Sequence, residues 1–181
     1  LSDTVLIQRI LAGDATAERQ LYDRHVDRVY RLAYRMTGDA TQAGDATQDA
    51  FIRVFDRLED YRGDGAFGGW LHRIATTVIL GHLRRRKRVR TWELADNELA
   101  AVAGATAPAD PDLRRHLDRA VARLDDNHRL VFVMHDLEGY THREIAAAMG
   151  TPEGTAKARL SRARGKLREL LLGSGPTPVT E

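Results

Sequence analysis

The sequence predicts an all-α protein made of two small helical domains joined by a flexible linker, and three observations carry that prediction. Apolar residues recur every three and four positions along most of the chain, while the alternation of β-branched residues that marks strands is nearly absent. The periodicity breaks once, from Thr91 to Asp112, where the chain turns alanine-rich and acidic around Pro108 and Pro111. The length, 181 residues, suits one ordinary domain or two small ones. The expected division is 1–90, a linker at 91–112, a second domain at 113–172 and a disordered tail at 173–181, whose GSGPTPVTE has no apolar face.

A first short helix is expected over Asp3 to Ala12, ended by Gly13 and Asp14. A second, Ala15 to Met36, sets Leu21, Tyr22, Val26, Val29, Tyr30, Ala33 and Met36 on one face and stops at Gly38. A third, Ala40 to Leu58, buries Ala43, Ala46, Ala50, Phe51, Val54, Phe55 and Leu58 and shows Asp45, Gln48, Asp49 and Asp56 on its other side. The loop YRGDGAFGG follows, then a fourth helix from Trp70 to Arg88 with Leu71, Ile74, Ala75, Val78 and Ile79 inward and a basic end, HLRRRKRVR. A short helix is expected inside the linker, around Trp92 to Ala103. Periodicity resumes at Leu113 with Leu117, Val121 and Leu124, and again from Asn127 to Leu137.

Composition narrows the chemistry. Without cysteine there are no disulfides, thiolate nucleophiles or cysteine zinc sites. The seven histidines form no metal-ligand array; His128, His135 and His142 read as solvated surface residues. No phosphate-binding loop, dinucleotide fingerprint or nucleophile motif is present, so no cofactor is expected and an enzymatic reading is weak. No run reaches the roughly 18 apolar residues of a membrane span, and no secretory signal is recognisable, which places the chain in the cytoplasm without stable membrane insertion. Net charge is only +2, but it is unevenly spread: −3 over 1–60, +7 over 61–90, −5 over 91–112 and +4 over 113–172. Two basic zones suggest two contacts with a polyanion, and the acidic N-terminal half suggests a different partner. Of the 28 basic residues, 25 are arginine, the side chain suited to phosphate and guanine, although a GC-rich genome gives the same bias.

The most specific local pattern is EGYTHREIAAAMGTPEGTAKARLSRARGKLRELL. Thr141 and Glu144 form a capping box, Gly150 ends that helix, and Thr151 with Pro152 is expected to open the next. Two helices so joined are a helix-turn-helix, whose second helix lies in the major groove in DNA-binding versions. On that helix Ala156, Leu160, Ala163, Leu167 and Leu170 form the inner stripe. Lys157, Ala158, Ser161 and Arg162 are then placed to reach base edges, and Thr155, Arg159 and the later arginines to reach phosphates.

The second pattern is DATQDAFIRVFDRLEDYRGDGAFGGWLHRIATTVILGHLRRRKR. Aromatic residues beside cations suit single-stranded nucleic acid, because unstacked bases seek a π surface and the backbone seeks charge. From Asp45 to Arg88 this block resembles the promoter-melting region of bacterial RNA polymerase sigma factors, of the extracytoplasmic-function group of the sigma-70 family. The block LDDNHRLVFVMHDLEGYTHREIAAAMGTPEGTAKARLSRARGKL resembles that group's −35-recognition domain, a helix-turn-helix of the winged-helix-like, region 4 type. The resemblance runs from about Ala15 to Leu171.

What the resemblance implies follows position by position. Asp45, Ala46, Thr47, Gln48, Asp49 and Phe51 match the helix that docks on core RNA polymerase, whose β′ coiled coil it grips, with the β subunit as a further contact. Tyr61, Arg62 and Phe67 lie in the loop that captures a flipped −10 base, and Trp70, Arg73, Thr76, Thr77, Leu80 and Arg84 would face −10 DNA. Thr155, Lys157, Ala158, Arg159, Ser161 and Arg162 would face −35 DNA. The implied function is promoter-specific transcription initiation in a stress or envelope response, under the control of an anti-sigma factor. The chain departs from the family at Thr77, commonly Asn, at Gly81, commonly Asp, and at Ala156 and Ala158, commonly Val and Ser. These positions are where promoter preference is expected to differ. The alternative is a stand-alone helix-turn-helix regulator, which would bind a two-fold symmetric duplex site without polymerase and has no need of the DATQDAF helix.

Overall fold

The computed structural model describes residues 1–63, 65–96 and 113–172. It divides into two compact units, Leu1–Asp96 and Asn97–Glu181. Every regular element among the described residues is a helix, with no strand among them.

In the first unit α1 (Asp3–Leu11), α2 (Ala15–Thr37), α3 (Ala40–Asp56) and α4 (Phe67–Asp96) pack around one core, with α2 against each of the other three and α3 against α4. Each boundary has a local cause. Asp14 accepts from the Thr16 and Ala17 amides to open α2, and Gly38, at φ 69°, closes it in the left-handed conformation that costs glycine nothing. Asp39 accepts from the Gln42 amide to open α3. Leu6, Leu21, Met36, Val54, Leu58, Leu71 and Ile79 are fully buried between the helices. Burial of each contributes about 1.5–3 kcal/mol.

Three sequence expectations move. The third helix stops at Asp56, and Leu58 reaches the core from a separate 3-10 turn, Leu58–Asp60. The fourth begins at Phe67 instead of Trp70: Gly68 and Gly69 are tolerated in its first turn, where Phe67, 3% exposed, anchors it. It also continues to Asp96, so residues 91–96, expected to begin the linker, are helical. The remaining linker 97–112, most of the helix expected around Trp92 to Ala103, and the tail 173–181 lie outside the described residues.

The second unit contains α5 (Leu113–Ala122), α6 (Asp126–Phe132), a π-helical turn (Val133–Leu137), α7 (His142–Met149) and α8 (Glu153–Leu172). α8 is the hub, packed on α5, α6 and α7. The regular helix expected to Leu137 instead widens after Phe132, where the Glu138 amide donates to the Val133 carbonyl and the Tyr140 amide to that of Met134. The junction between α5 and α6 is held by Arg129, only 4% exposed, whose Nη1 donates to the carbonyls of Leu124 at 2.7 Å and Ala122 at 3.2 Å. Asp126 supplies its counter-charge. A guanidinium thus satisfies carbonyls that the end of a helix leaves without partners.

Arg129→Ala should leave those buried carbonyls unsatisfied and lower the stability of the second unit by about 1–3 kcal/mol, read as a shift in urea midpoint without a change in slope.

Candidate nucleic-acid and partner interfaces

The outer face of α3 is set by what its inner face buries. Ala43, Ala46, Thr47, Ala50 and Phe51 point inward, each 4% exposed or less. Asp45, Gln48 and Asp49 stand outside, joined by Ile52, a 53% exposed apolar residue that sequence reasoning passed over. Of the six residues expected to touch polymerase, the structure therefore brings Asp45, Gln48 and Asp49 to the surface. Ala46, Thr47 and Phe51 lie beneath it, with the Thr47 hydroxyl donating to the Ala43 carbonyl at 2.6 Å and Phe51 packed 4.7 Å from the Tyr22 ring. Their side chains shape the face and cannot themselves offer contacts. Asp49 is already engaged: His82 Nε2 of α4 lies 2.7 Å from its carboxylate, and Arg85 lies 4.0 Å away.

At the start of α4 three rings converge. Tyr61, Phe67 and Trp70 have centroid separations of 5.5 to 5.7 Å, and the Tyr61 hydroxyl donates to the Gly65 carbonyl, closing the loop on itself. Phe67 is the buried base of the group, with the His25 ring of α2 edge-on at 5.4 Å. Tyr61 and Trp70 are half-buried and offer ring surface to solvent. Arg62, Arg73, Thr77 and Arg84 are exposed. Trp70, Arg73, Thr77 and Arg84, at helical spacing, form one outward stripe. Thr76 and Leu80 were expected on that stripe but are 3% and 8% exposed and belong to the core; the Thr76 hydroxyl donates to the His72 carbonyl. The Thr77 hydroxyl donates to Arg73 of its own helix, which leaves only its acceptor side for a ligand. Around Gly81 there is open space, with no atom within 4 Å of an added Cβ.

In the second unit the capping box is complete: Thr141 Oγ1 accepts from the Glu144 amide while the Glu144 carboxylate accepts from the Thr141 amide and hydroxyl. Gly150 closes α7 at φ 63°. Thr151, expected to cap α8, does not: its Oγ1 is buried without a partner, while the Pro152 carbonyl accepts from Thr155 and Ala156. Pro152 is therefore the cap residue, a position where its missing N–H costs nothing.

Ala156, Leu160, Ala163 and Leu167 are buried, so Lys157, Ala158, Ser161 and Arg162 face outward, as the wheel predicts. Thr155 and Arg159 are half-buried beside them. Ala156, at 0% exposure, packs beneath the helix, whereas Ala158 lies on its exposed face. Not every cation is available. Arg164 makes a two-pronged ion pair with Asp136 of the π turn, at 2.9 and 2.6 Å. Lys166 donates to Asp125, the cap of α6, at 2.8 Å. These pairs add to the buried stripe that seats α8, and Arg162 and Arg168 remain exposed.

The histidines are not simply solvated. His135 and His142 stack at 4.5 Å, His128 pairs with Asp125, and all three are half-buried. Among the described residues no group of His, Asp and Glu is arranged to hold a metal.

Both anchoring carboxylates have lowered pKa values. For Asp136 the hydrogen bond from Arg164 is the main cause, opposed by partial burial and helped by His135. For Asp125 burial alone would raise the value, but hydrogen bonds from Lys166 and His128 outweigh it and hold the carboxyl well below the ordinary range. A carboxylate with a depressed native pKa stabilises the fold fully above its unfolded value, about 3.9, and loses that contribution as pH falls through the native value. The second unit should therefore hold its helicity from neutral pH to about 4 and lose stability below it. Asp136→Asn should be less stable at pH 7 and show a flatter acid limb, followed by circular dichroism; an unchanged limb would assign the acid sensitivity elsewhere.

The family model Sigma-70 region 2 matches residues 21–89, and Sigma-70, region 4 matches residues 114–167. The chain is 40% identical over 156 residues to the ECF RNA polymerase sigma factor SigE of Mycolicibacterium smegmatis, covering 84% of this chain and 60% of that one. It is 36% identical over 170 residues to the ECF RNA polymerase sigma factor SigM of Mycobacterium tuberculosis, covering 94% of this chain and 85% of the relative. Among solved structures it is similar to CnrH in complex with the cytosolic domain of CnrY, with a TM-score of 0.52 at 26% identity over 96% of this chain and 99% of the other. The sigma factor RpoE from Bartonella quintana, in complex with the anti-sigma factor NepR, shares the fold with a TM-score of 0.56 at 22% identity, over 87% of this chain and 98% of the other.

Proposed function

Because this chain belongs to the extracytoplasmic-function group of the sigma-70 family, we propose that it binds core RNA polymerase and directs promoter-specific initiation of transcription. The observation that carries the proposal is the presence, in one chain, of three surfaces of complementary purpose. These are the Asp45, Gln48 and Asp49 face of α3, the aromatic corner with the Trp70, Arg73, Thr77 and Arg84 stripe, and the outward face of α8. The first takes a cationic surface of polymerase, through β′ and with β as a further contact. The second takes the opened −10 strand, where Tyr61 and Trp70 offset the cost of unstacking a base, a few kcal/mol per step. The third enters the major groove at −35, with Lys157, Ser161 and Arg162 at base edges and Thr155 and Arg159 at phosphates.

Each contact is small, and their strength comes from being borne on one polymerase: the second contact is made at the effective concentration set by the first. The protein performs no bond chemistry of its own in this role and acts in the cytoplasm, where polymerase and chromosome are; no helix of the described residues is long and apolar enough to cross a membrane. A partner that covers the α3 face would keep the factor from polymerase, which is the part assigned to an anti-sigma protein in a stress or envelope response.

Reconstitution with bacterial core polymerase tests this directly. The expected result is initiation at discrete promoters only when the protein is added. Asp45→Ala combined with Gln48→Ala should weaken core binding by about ten-fold, an ordinary loss for two central contacts. Arg162→Ala should leave core binding intact and cost about 1–3 kcal/mol at −35 sequence. Failure of the unaltered chain to bind core at low salt would overturn the proposal.

A further inference from the structure

Arg28, on α2, is a cation that none of the sequence patterns singled out. It is exposed and has no hydrogen-bond or ion-pair partner among the described residues, whereas other arginines of the unit are held by carboxylates: Arg9 by Asp14, Arg19 by Asp23 and Arg24 by Asp3. Its guanidinium instead lies against the backbone of Gly68 in α4. A Cβ added at Gly68 would stand 3.0 Å from Arg28 Nη1 and 4.0 Å from its Cζ, so the absence of a side chain there is what lets the group come so close.

The neighbours of Gly68 give that position its meaning. Phe67 precedes it and Trp70 follows two residues later, both members of the aromatic corner. One turn before Arg28 on α2, His25 touches the Phe67 ring. The same edge of α2 thus supports the aromatic group with His25 and sets an unneutralised cation beside it with Arg28. A nucleotide has the two matching parts, a flat base and a phosphate a few ångströms from it.

We propose that Arg28 is a further DNA-binding residue of the promoter-melting site, contacting the backbone phosphate that flanks the base held against Tyr61 and Trp70. The assignment rests on the reading of the aromatic corner as a single-strand site. It adds to that site a contact from a different helix, one that fixes the strand's direction across the rings, since a phosphate seated at Arg28 leaves the base one side from which to approach them.

The test is fluorescence anisotropy of a labelled single-stranded DNA of about 20 nucleotides, bound by the reconstituted holoenzyme across a series of salt concentrations. Arg28→Ala should weaken binding by about three- to ten-fold at low salt and make the salt dependence shallower by about 0.7 in log–log slope, the loss of one single-strand phosphate contact. Arg28→Lys should restore the slope. Arg19→Ala removes the same charge from the opposite face of α2 and should change neither quantity. An unchanged slope in Arg28→Ala, or an equal effect of Arg19→Ala, would overturn the assignment. Because the slope counts phosphate contacts, a loss of stability without it also counts against the proposal. Core binding by the unaltered chain is measured in the same series, so that failure to form holoenzyme reports on the proposed function; the comparison of variants is then made on the free chain with the same DNA.

Discussion

The alanine stripes of α3 and α8 decide what this molecule can display. Ala43, Ala46 and Ala50 on one helix and Ala156 and Ala163 on the other are wholly buried, and side chains this small let neighbouring backbones approach closely. A helix seated that tightly has almost no freedom to roll, since a turn about its axis would drive larger groups into a close-packed interior. With the roll fixed, the remaining positions are fixed too: Asp45, Gln48 and Asp49 outward on α3, Lys157, Ser161 and Arg162 outward on α8. The charged surfaces are thus consequences of apolar packing. Ion pairs add to this at α8, where Asp136 and Asp125 pair with Arg164 and Lys166 just past its middle.

The same pairs explain why a count of cations overstates the surface available to a polyanion. Arg164 and Lys166 already have anionic partners, as have His82 and, at longer range, Arg85, through Asp49. Exposed ion pairs of this kind contribute little to stability, about 0–1 kcal/mol each, and exchange readily. They nevertheless decide which cations meet a ligand without first losing a partner. Arg62, Arg73 and Arg162 are exposed beside the aromatic corner and on α8, and the sequence alone does not distinguish them from the arginines that are tied down.

Much of the fold was legible because its signals are local. The capping box at Thr141 and Glu144, the glycines at 38 and 150, and the three-and-four spacing of α2, α3 and α8 each act within a turn or two of helix. Where the signal was long-range or ambiguous the reading shifted. Gly68 and Gly69 looked like loop because glycine usually marks one, yet a buried Phe67 suffices to start α4 there. The π turn has no sequence code of its own, and Asp136 meets Arg164 across 28 residues. Site residues divide in the same way. The family's motif points to α3 and α4, but Ala46, Thr47, Phe51, Thr76 and Leu80 are interior residues, because a motif records the residues that shape a surface along with those on it. Ile52 could have been found from the wheel of α3, as the apolar residue that falls on its polar side.

Inward packing fixes the outward face of α3, and it is this face that we propose meets polymerase. The chain has no cysteine, which permits single cysteines to be placed along that helix without background. Asp45→Cys, Gln48→Cys, Asp49→Cys and Ile52→Cys should react with a maleimide in the free protein and become protected when core polymerase is added, whereas Ala46→Cys and Ala50→Cys should stay unreactive in both states. Continued labelling at 45 and 48 in the complex, or ready labelling at 46 and 50 in a folded free chain, would contradict it.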